Sequence, residues 1–452
     1  MSSKDSTRPQ AASGSAPPTT TVAVIGAGLA GLTAARTLHR AGVDVLVLEA
    51  ADRSGGRAMS ETTALGSRVD LGGQWIGHDH SRIAALAAEL GATQFRMHTS
   101  QRPTVLDGAR RVPLGAPPML ATAGLLLGLE ALSHIRPPQR WDTTTVADWL
   151  AKAPGRTPRR LLELTALTSW CADLDRLSVR AMMTLIRLQG GLRNMLSTTG
   201  GAQESLLVEG IGTLVDGLAD ELGDRVCLGH RVTSIAVGAA GVTVTTTAGA
   251  INATKVVVTV PPPLLNRIDF QPALPPERSA IAARTYMGSV YKAIAVFPRP
   301  FWRDRSKNTE IIVLDAPGIA VFDTSPPDGP GHLCMLVGGP HARTLDHLDP
   351  ATRRETVLRP LVSWLGTAVL EPVSWHEKAW HLDENAGGGY TALPGPGGAD
   401  ADMPVQFTPV GDIHWAGTET AVDHPGYLDG AIESGNRVAH EILGALAQLS
   451  PR

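Results

Sequence analysis

Hydrophobic positions along the chain change period in an ordered way. VAVI, residues 22–25, is an unbroken apolar run. LAGLTAARTLHR, which follows shortly, repeats its apolar residues every three to four positions, and VDVLVLEA alternates and ends beside Glu49. That succession predicts strand, helix and strand, one βαβ unit. Farther on, HRVTSIAVGAAGVTVTTTAGAINATKVVVTVPPP reads as alternating strands joined by glycine turns, and VYKAIAVF as a strand with Lys292 in its apolar middle. DIHWAGTET reads as a strand and YLDGAIESGNRVAHEILGAL as a helix. The longest uncharged run, residues 112–129, holds three prolines and ends at Glu130. About a dozen of its residues form continuous helix, short of the roughly 20 a membrane span needs, so it is expected to be buried or to line a cavity. Residues 1–20, rich in Ser, Pro and Thr, are predicted to form a disordered tail.

The chain has 452 residues, more than one core usually holds, which predicts two domains. Apolar content of 43%, charged content of 18% and a net charge of -3 are those of an ordinary globular protein and offer no basic surface to nucleic acid. Lysine is scarce, at positions 4, 152, 255, 292, 307 and 378, so each lysine is worth reading. Cys171, Cys227 and Cys334 form no CxxC pair, which suggests neither a disulfide framework nor zinc and fits a reducing, cytoplasmic location.

The candidate chemistry starts at GAGLAGL. Gly26 would make the tight turn, Gly28 would let backbone approach a pyrophosphate and Gly31 would let the helix pack on the strand. Ala30 lies in the first helical turn, where amide groups and the dipole favour phosphate. Glu49, about twenty residues on, would accept hydrogen bonds from ribose hydroxyls and repel a 2'-phosphate, which points to FAD or NAD. GGR, ending at Arg57, and DLGGQWIG, carrying Gly73, Gln74 and Trp75, suggest that backbone keeps approaching the same ligand. Gly417 and Thr418, at a strand end, form a second phosphate-proximal candidate.

GAGLAGL, LEAADRSGGR, DLGGQWIG and, near the C-terminus, WAGTETAVDHPGYLDGAIESG resemble the start and end of the flavin-containing monoamine oxidase family. The resemblance implies a mixed α/β fold. A Rossmann-type FAD-binding domain would be assembled from residues 21–79, 200–286 and 386–448, and a substrate domain of mixed sheet and helices from residues 80–199 and 287–385. It implies that Val232 meets the adenine through its backbone, that Arg57 contacts the flavin, and that Glu419 lies near the pyrophosphate or ribityl region or pairs with Arg57. Leu428 would meet the flavin through its backbone and Trp380 would pack against it. Lys292 would reach flavin N5 through a water, although a lysine on an edge strand can also simply face solvent. Tyr390 and Tyr427 correspond to the paired rings that stand before the flavin and orient an amine.

The activity implied is oxidation of a small amine to an imine, with FAD reoxidised by O2 to give H2O2. Rivals on the same fold are an L-amino-acid oxidase or other desaturating flavoenzyme, an amine dehydrogenase that uses a protein electron acceptor, and a non-enzymatic flavin-binding protein. A homodimer is compatible with the sequence, which does not set the oligomeric state. Three departures from the family pattern are visible. Ala51 replaces an arginine. Gly389, directly before Tyr390, stands where mammalian members carry the cysteine that links to flavin, so FAD is expected to be non-covalent. His424 and Pro425 replace a bulky aromatic and a serine, which makes His424, with His78, a candidate for substrate specificity. His78 and His80 flank Asp79; no metal is expected there, and Asp79 or Ser81 is expected to cap the next helix.

Overall fold

The structure, a computed structural model, describes residues 17–99, 102–135, 138–305, 309–395 and 405–449. Two large sheets organise it. In the first, the strand Thr19–Ile25 lies parallel between Val45–Leu48 and Gly249–Val258. The last of these is long enough to change partner along its other edge. Its first half pairs antiparallel with Gly241–Thr246 and its end pairs parallel with Ile413–Trp415. One strand thus joins a segment from the start, the middle and the end of the chain. The helix Leu29–Arg40 packs against the C-terminal helix Leu428–Leu449, where a Cβ on Gly435 would lie 2.4 Å from the Ala30 carbonyl oxygen. Only glycine permits that approach.

The second sheet runs in the order Ser374–Ala379, Val290–Phe297, Gly331–Gly338, Ile319–Asp323, Ile311–Val313, Thr104–Asp107 and Arg110–Val112. Val290–Phe297 and Gly331–Gly338 are buried at every residue, which explains why VYKAIAVF is apolar on both faces rather than alternating. Val290–Phe297 is paired on both sides, so Lys292 sits inside the protein and not on an exposed edge.

One expectation is met and one needs correction. Residues 117–129 of the apolar run, about a dozen as expected, are helical: Pro117 and Pro118 occupy the first turn of the helix Pro117–Ser133, where a missing N–H costs nothing. That helix is not buried: Leu120 is 62% and Leu127 73% exposed, while Met119, Thr122, Ala123 and Leu126 on another side line the cavity described below. No described helix is long and apolar enough to cross a membrane. Of the expected tail, residues 1–16 lie outside the described residues. Thr19 and Thr20 already belong to a strand, held in register by Asn252 and Ala253.

Candidate active site

A cavity of about 1180 Å³ takes its walls from both sheets. One end is made largely of backbone. Gly26 has a φ of +105°, and a Cβ there would strike the Thr259 hydroxyl at 2.4 Å. A Cβ on Gly31 would lie 1.9 Å from the Gly26 carbonyl oxygen, so Gly31 serves helix packing and does not itself line the cavity. Gly28 and Ala30 do line it. The helix that starts at Leu29 has no side-chain cap and no acid in its first turn, which leaves its amide groups free for an anion. Glu49 is buried, and its two oxygens accept from the amides of Ala27 (2.7 Å) and Ala51 (2.9 Å). A carboxylate has about four acceptor positions, so capacity for hydroxyl donors remains. Val232 lines the same end, where Arg231 and Arg267 converge on Glu384, on its carboxylate and its carbonyl respectively. Arg53 does not replace the arginine missing at Ala51, because its guanidinium donates to the carbonyls of Ser54, Gly56 and Ala58.

At the middle of the cavity Arg57 grips Glu419 with both nitrogens (2.6 and 3.1 Å) and donates to the Tyr390 carbonyl at 2.8 Å. Burial alone would raise the Glu419 carboxyl; Arg57 and the Ala392 amide outweigh it and hold the group below its usual value. Glu419 lies behind the wall rather than on it, where it holds Arg57. Gly417 and Thr418 do reach the cavity. Gly73 faces Leu428, whose side chain a Cβ would meet at 2.9 Å, and both residues line the cavity.

Lys292 is 3% exposed and donates to the Gly72 carbonyl (2.8 Å) and to Gln74 Oε1 (2.6 Å), with its ammonium 5.5 Å from the Trp75 ring centre. Burial lowers its pKa, opposed by Cys334 and Asp70. Trp380 is buried with its indole N–H on the Leu71 carbonyl at 2.7 Å, and Arg53 and Lys378 flank its ring. Tyr390 and Tyr427 line the same cavity as Lys292. Burial pushes both phenols up, so both are neutral over any working pH.

Apart from Trp75, the other large side chains on the wall are ones that no motif marked. Trp170, Gln203 and Ile312 line it, and Trp75 meets Phe322 edge to face at 5.2 Å. Trp170 comes from the helix Arg156–Trp170 and Phe322 from the second sheet, and in sequence both resemble ordinary core. His78 and His424 are not on the wall. His78 is exposed and its imidazole lies 3.6 Å from Asp79, and His424 sits behind Tyr427. The expected cap is also corrected: neither Asp79 nor Ser81 caps the helix Ser81–Glu89. Asp429, brought from the far end of the chain, accepts from the amides of Arg82 (2.7 Å) and Ile83 (3.0 Å).

A glycine turn feeding an uncapped helix, a buried acid one strand away and a cavity continuing past a buried lysine to two tyrosines define a dinucleotide-binding oxidoreductase. Comparison with known proteins narrows the class. The flavin containing amine oxidoreductase family model matches residues 29–443, and the chain belongs to that family. It is 35% identical over 448 residues to the flavin-containing monoamine oxidase AofH of Mycobacterium tuberculosis, covering 95% of this chain and 98% of that one. To human flavin-containing amine oxidase B it is 32% identical, covering 95% and 87%. Among solved structures, cyclohexylamine oxidase from Brevibacterium oxydans superposes with a TM-score of 0.89 at 28% identity, over 95% of this chain and 100% of that one. Putrescine oxidase bound to putrescine superposes with a TM-score of 0.84 at 26% identity, over 94% and 99%. The protein is an FAD-dependent amine oxidoreductase, and the open helix N-terminus, the glycine cradle and a volume above the roughly 300–1,000 Å³ of common ligand pockets fit FAD together with a small substrate.

Proposed function

We propose that the substrate is a small primary or secondary amine without a carboxylate, held between Tyr390 and Tyr427, and that the final electron acceptor is O2, which leaves as H2O2. When bound, FAD accepts the hydride equivalent from the carbon beside the amine nitrogen and passes electrons on. The observation that carries the reading is the convergence of Tyr390, Tyr427 and Lys292 on one cavity that also holds the dinucleotide cradle. The tyrosine faces carry negative quadrupole potential and favour an amine over an anion. Lys292, bound through Gly72 and Gln74, supplies a donor of proton or positive charge in a water-poor site and orients rather than abstracts. An amino-acid oxidase would need an arginine at the substrate end. Arg57 is committed to Glu419 and Tyr390, Arg53 to backbone, and Arg231 and Arg267 lie at the nucleotide end; Arg193 lines the cavity but is itself exposed to solvent.

The test is peroxide release on a panel of small amines set against L-amino acids. Turnover of amines alone is expected, and turnover of amino acids alone would overturn the reading. FAD is held without a covalent bond in this proposal, because Gly389 precedes Tyr390 and none of Cys171, Cys227 and Cys334 lines the cavity. Acid precipitation should leave yellow flavin in the supernatant, and flavin retained in the pellet would contradict it.

A further inference from the structure

Behind Tyr427 lies a charged cluster that the reaction itself does not use. Both nitrogens of His424 face carboxylates, Nε2 at 3.1 Å from Asp79 Oδ2 and Nδ1 at 3.2 Å from Asp429 Oδ2. A neutral imidazole has one N–H and serves one of them; only the imidazolium donates to both. His424 is also one of three non-glycine residues with positive φ among those described, at +52°, and a Cβ on Gly430 would lie 2.3 Å from its carbonyl oxygen. That carbonyl accepts the Tyr427 amide at 3.1 Å and closes a turn. From the other side Thr418 Oγ1 accepts from the Gly426 amide and donates to the Tyr427 carbonyl, each at 2.8 Å.

The neighbouring His80 cannot take the charge. Its Nδ1 accepts the Gly77 amide at 2.9 Å, so in the neutral ring the hydrogen sits on Nε2, which is buried and has no partner. Burial, with His424 adding to it, lowers its pKa to about 4. The same tautomer argues against a metal, although Asp79, His80 and His424 offer atoms within 4.8 Å of one another: His80 Nε2 carries a hydrogen instead of a lone pair, and His424 spends both nitrogens on carboxylates. His80 is thus a flat neutral backing, 4.9 Å from the Tyr427 ring and 4.6 Å from His424.

We propose that charged His424 is a positioning residue for Tyr427: bridging Asp79 and Asp429, it pins the turn that seats the tyrosine on His80, and loss of its proton loosens that wall of the amine slot. The inference rests on the reading of Tyr427 as a substrate-orienting wall. The groups around His424 are Asp423 and Asp429 from its own segment, His78, Asp79 and His80 before the helix Ser81–Glu89, and Arg82 on that helix, which binds Asp429 (3.0 Å) and Asp423 (2.8 Å). Glu433 accepts the Val422 amide. Without the imidazolium, three aspartates face one guanidinium. The Asp429 bond, set against desolvation, raises the His424 pKa, so the clamp is complete below the ordinary histidine value and is lost as pH rises through the raised one.

The experiment compares kcat/KM for one amine in wild-type, His424→Gln and Asp79→Asn holoenzymes from about pH 6 to about pH 10, the range that spans histidine and amine ionisation. Dividing the wild-type profile by the His424→Gln profile cancels the substrate's own ionisation. The ratio should be about tenfold at the acid end, mostly in kcat, and fall toward one as pH rises. In Asp79→Asn the inflection that belongs to His424 should move about one unit lower, because an opposite charge is gone. A ratio flat across the range, or an inflection that Asp79→Asn leaves in place, would overturn the proposal; if His424→Gln does not load FAD, the Asp79→Asn shift decides alone. Tyr427→Leu separates the two levels. If it leaves kcat/KM unchanged, the reading of the slot fails; if it lowers kcat/KM while the ratio is flat, only the role of His424 fails.

Discussion

The two tyrosine walls are the same ring held in two different ways. Tyr390 is fixed by groups whose charge does not change near neutral pH. Its carbonyl is bound by Arg57, which is locked to a carboxylate held ionised, and its buried ring lies beside the Cys171 thiol, which burial pushes up to about 12. Tyr427 is fixed by a turn whose anchor is a histidine, the side chain whose charge changes in that range. One wall is therefore permanent and the other conditional. In the proposed slot an amine meets both, so the conditional wall would set the pH window of the slot and the permanent one its shape.

The strongest way to break this comparison is to remove the permanent anchor. Arg57→Ala leaves Glu419 buried and unpaired and frees the Tyr390 carbonyl. Breaking a buried pair from one side costs about 3–5 kcal/mol, and the lower figure is expected because the Arg57 side chain is 23% exposed. Thermal melting of the holoenzyme should show a drop of several degrees with weaker FAD retention, and Arg57→Lys should recover only part, since an ammonium cannot make the two-nitrogen grip. An unchanged melting temperature would mean that Arg57 does not hold this wall.

How each part was legible in sequence follows from the distance over which it is encoded. The nucleotide end is written in short stretches, because Gly26, Gly28 and Gly31 act on backbone within a single strand-turn-helix unit. Glu49 follows at a spacing that unit dictates. The strand carrying Lys292 was visible as an apolar run, but its pairing on both sides, with residues 331–338 and 374–379, was not, since that is a property of the fold. The substrate end was least legible. Trp170, Phe322 and Ile312 face the cavity from separate elements and share the apolar character of residues that merely pack. The helix cap was missed for the same reason: a local carboxylate was the natural candidate, but Asp429 reaches the amides of Arg82 and Ile83 from the other end of the chain. His424 stood out as an unexpected residue, yet its partner Asp79 is adjacent only in three dimensions.

The smallest effect gives the sharpest contrast. Cys171→Ala removes the thiol beside Tyr390 without altering any charge near neutral pH, because burial pushes that thiol up to about 12. The left-handed backbone at position 171, φ +57°, is as strained for alanine as for cysteine, so the substitution isolates the side chain. A thiol is only a weak hydrogen-bonding group, so its loss removes little more than a soft contact with the ring. The Tyr390 carbonyl remains on Arg57, so the ring should tilt rather than leave, and kcat/KM should fall only a few-fold. That fall should be equal at every pH, and the wild-type to Cys171→Ala ratio should plot as a level line. The corresponding ratio for His424→Gln should descend. An inflection in the Cys171 ratio would show that the two walls are coupled, with the permanent one drawing its order from the conditional one.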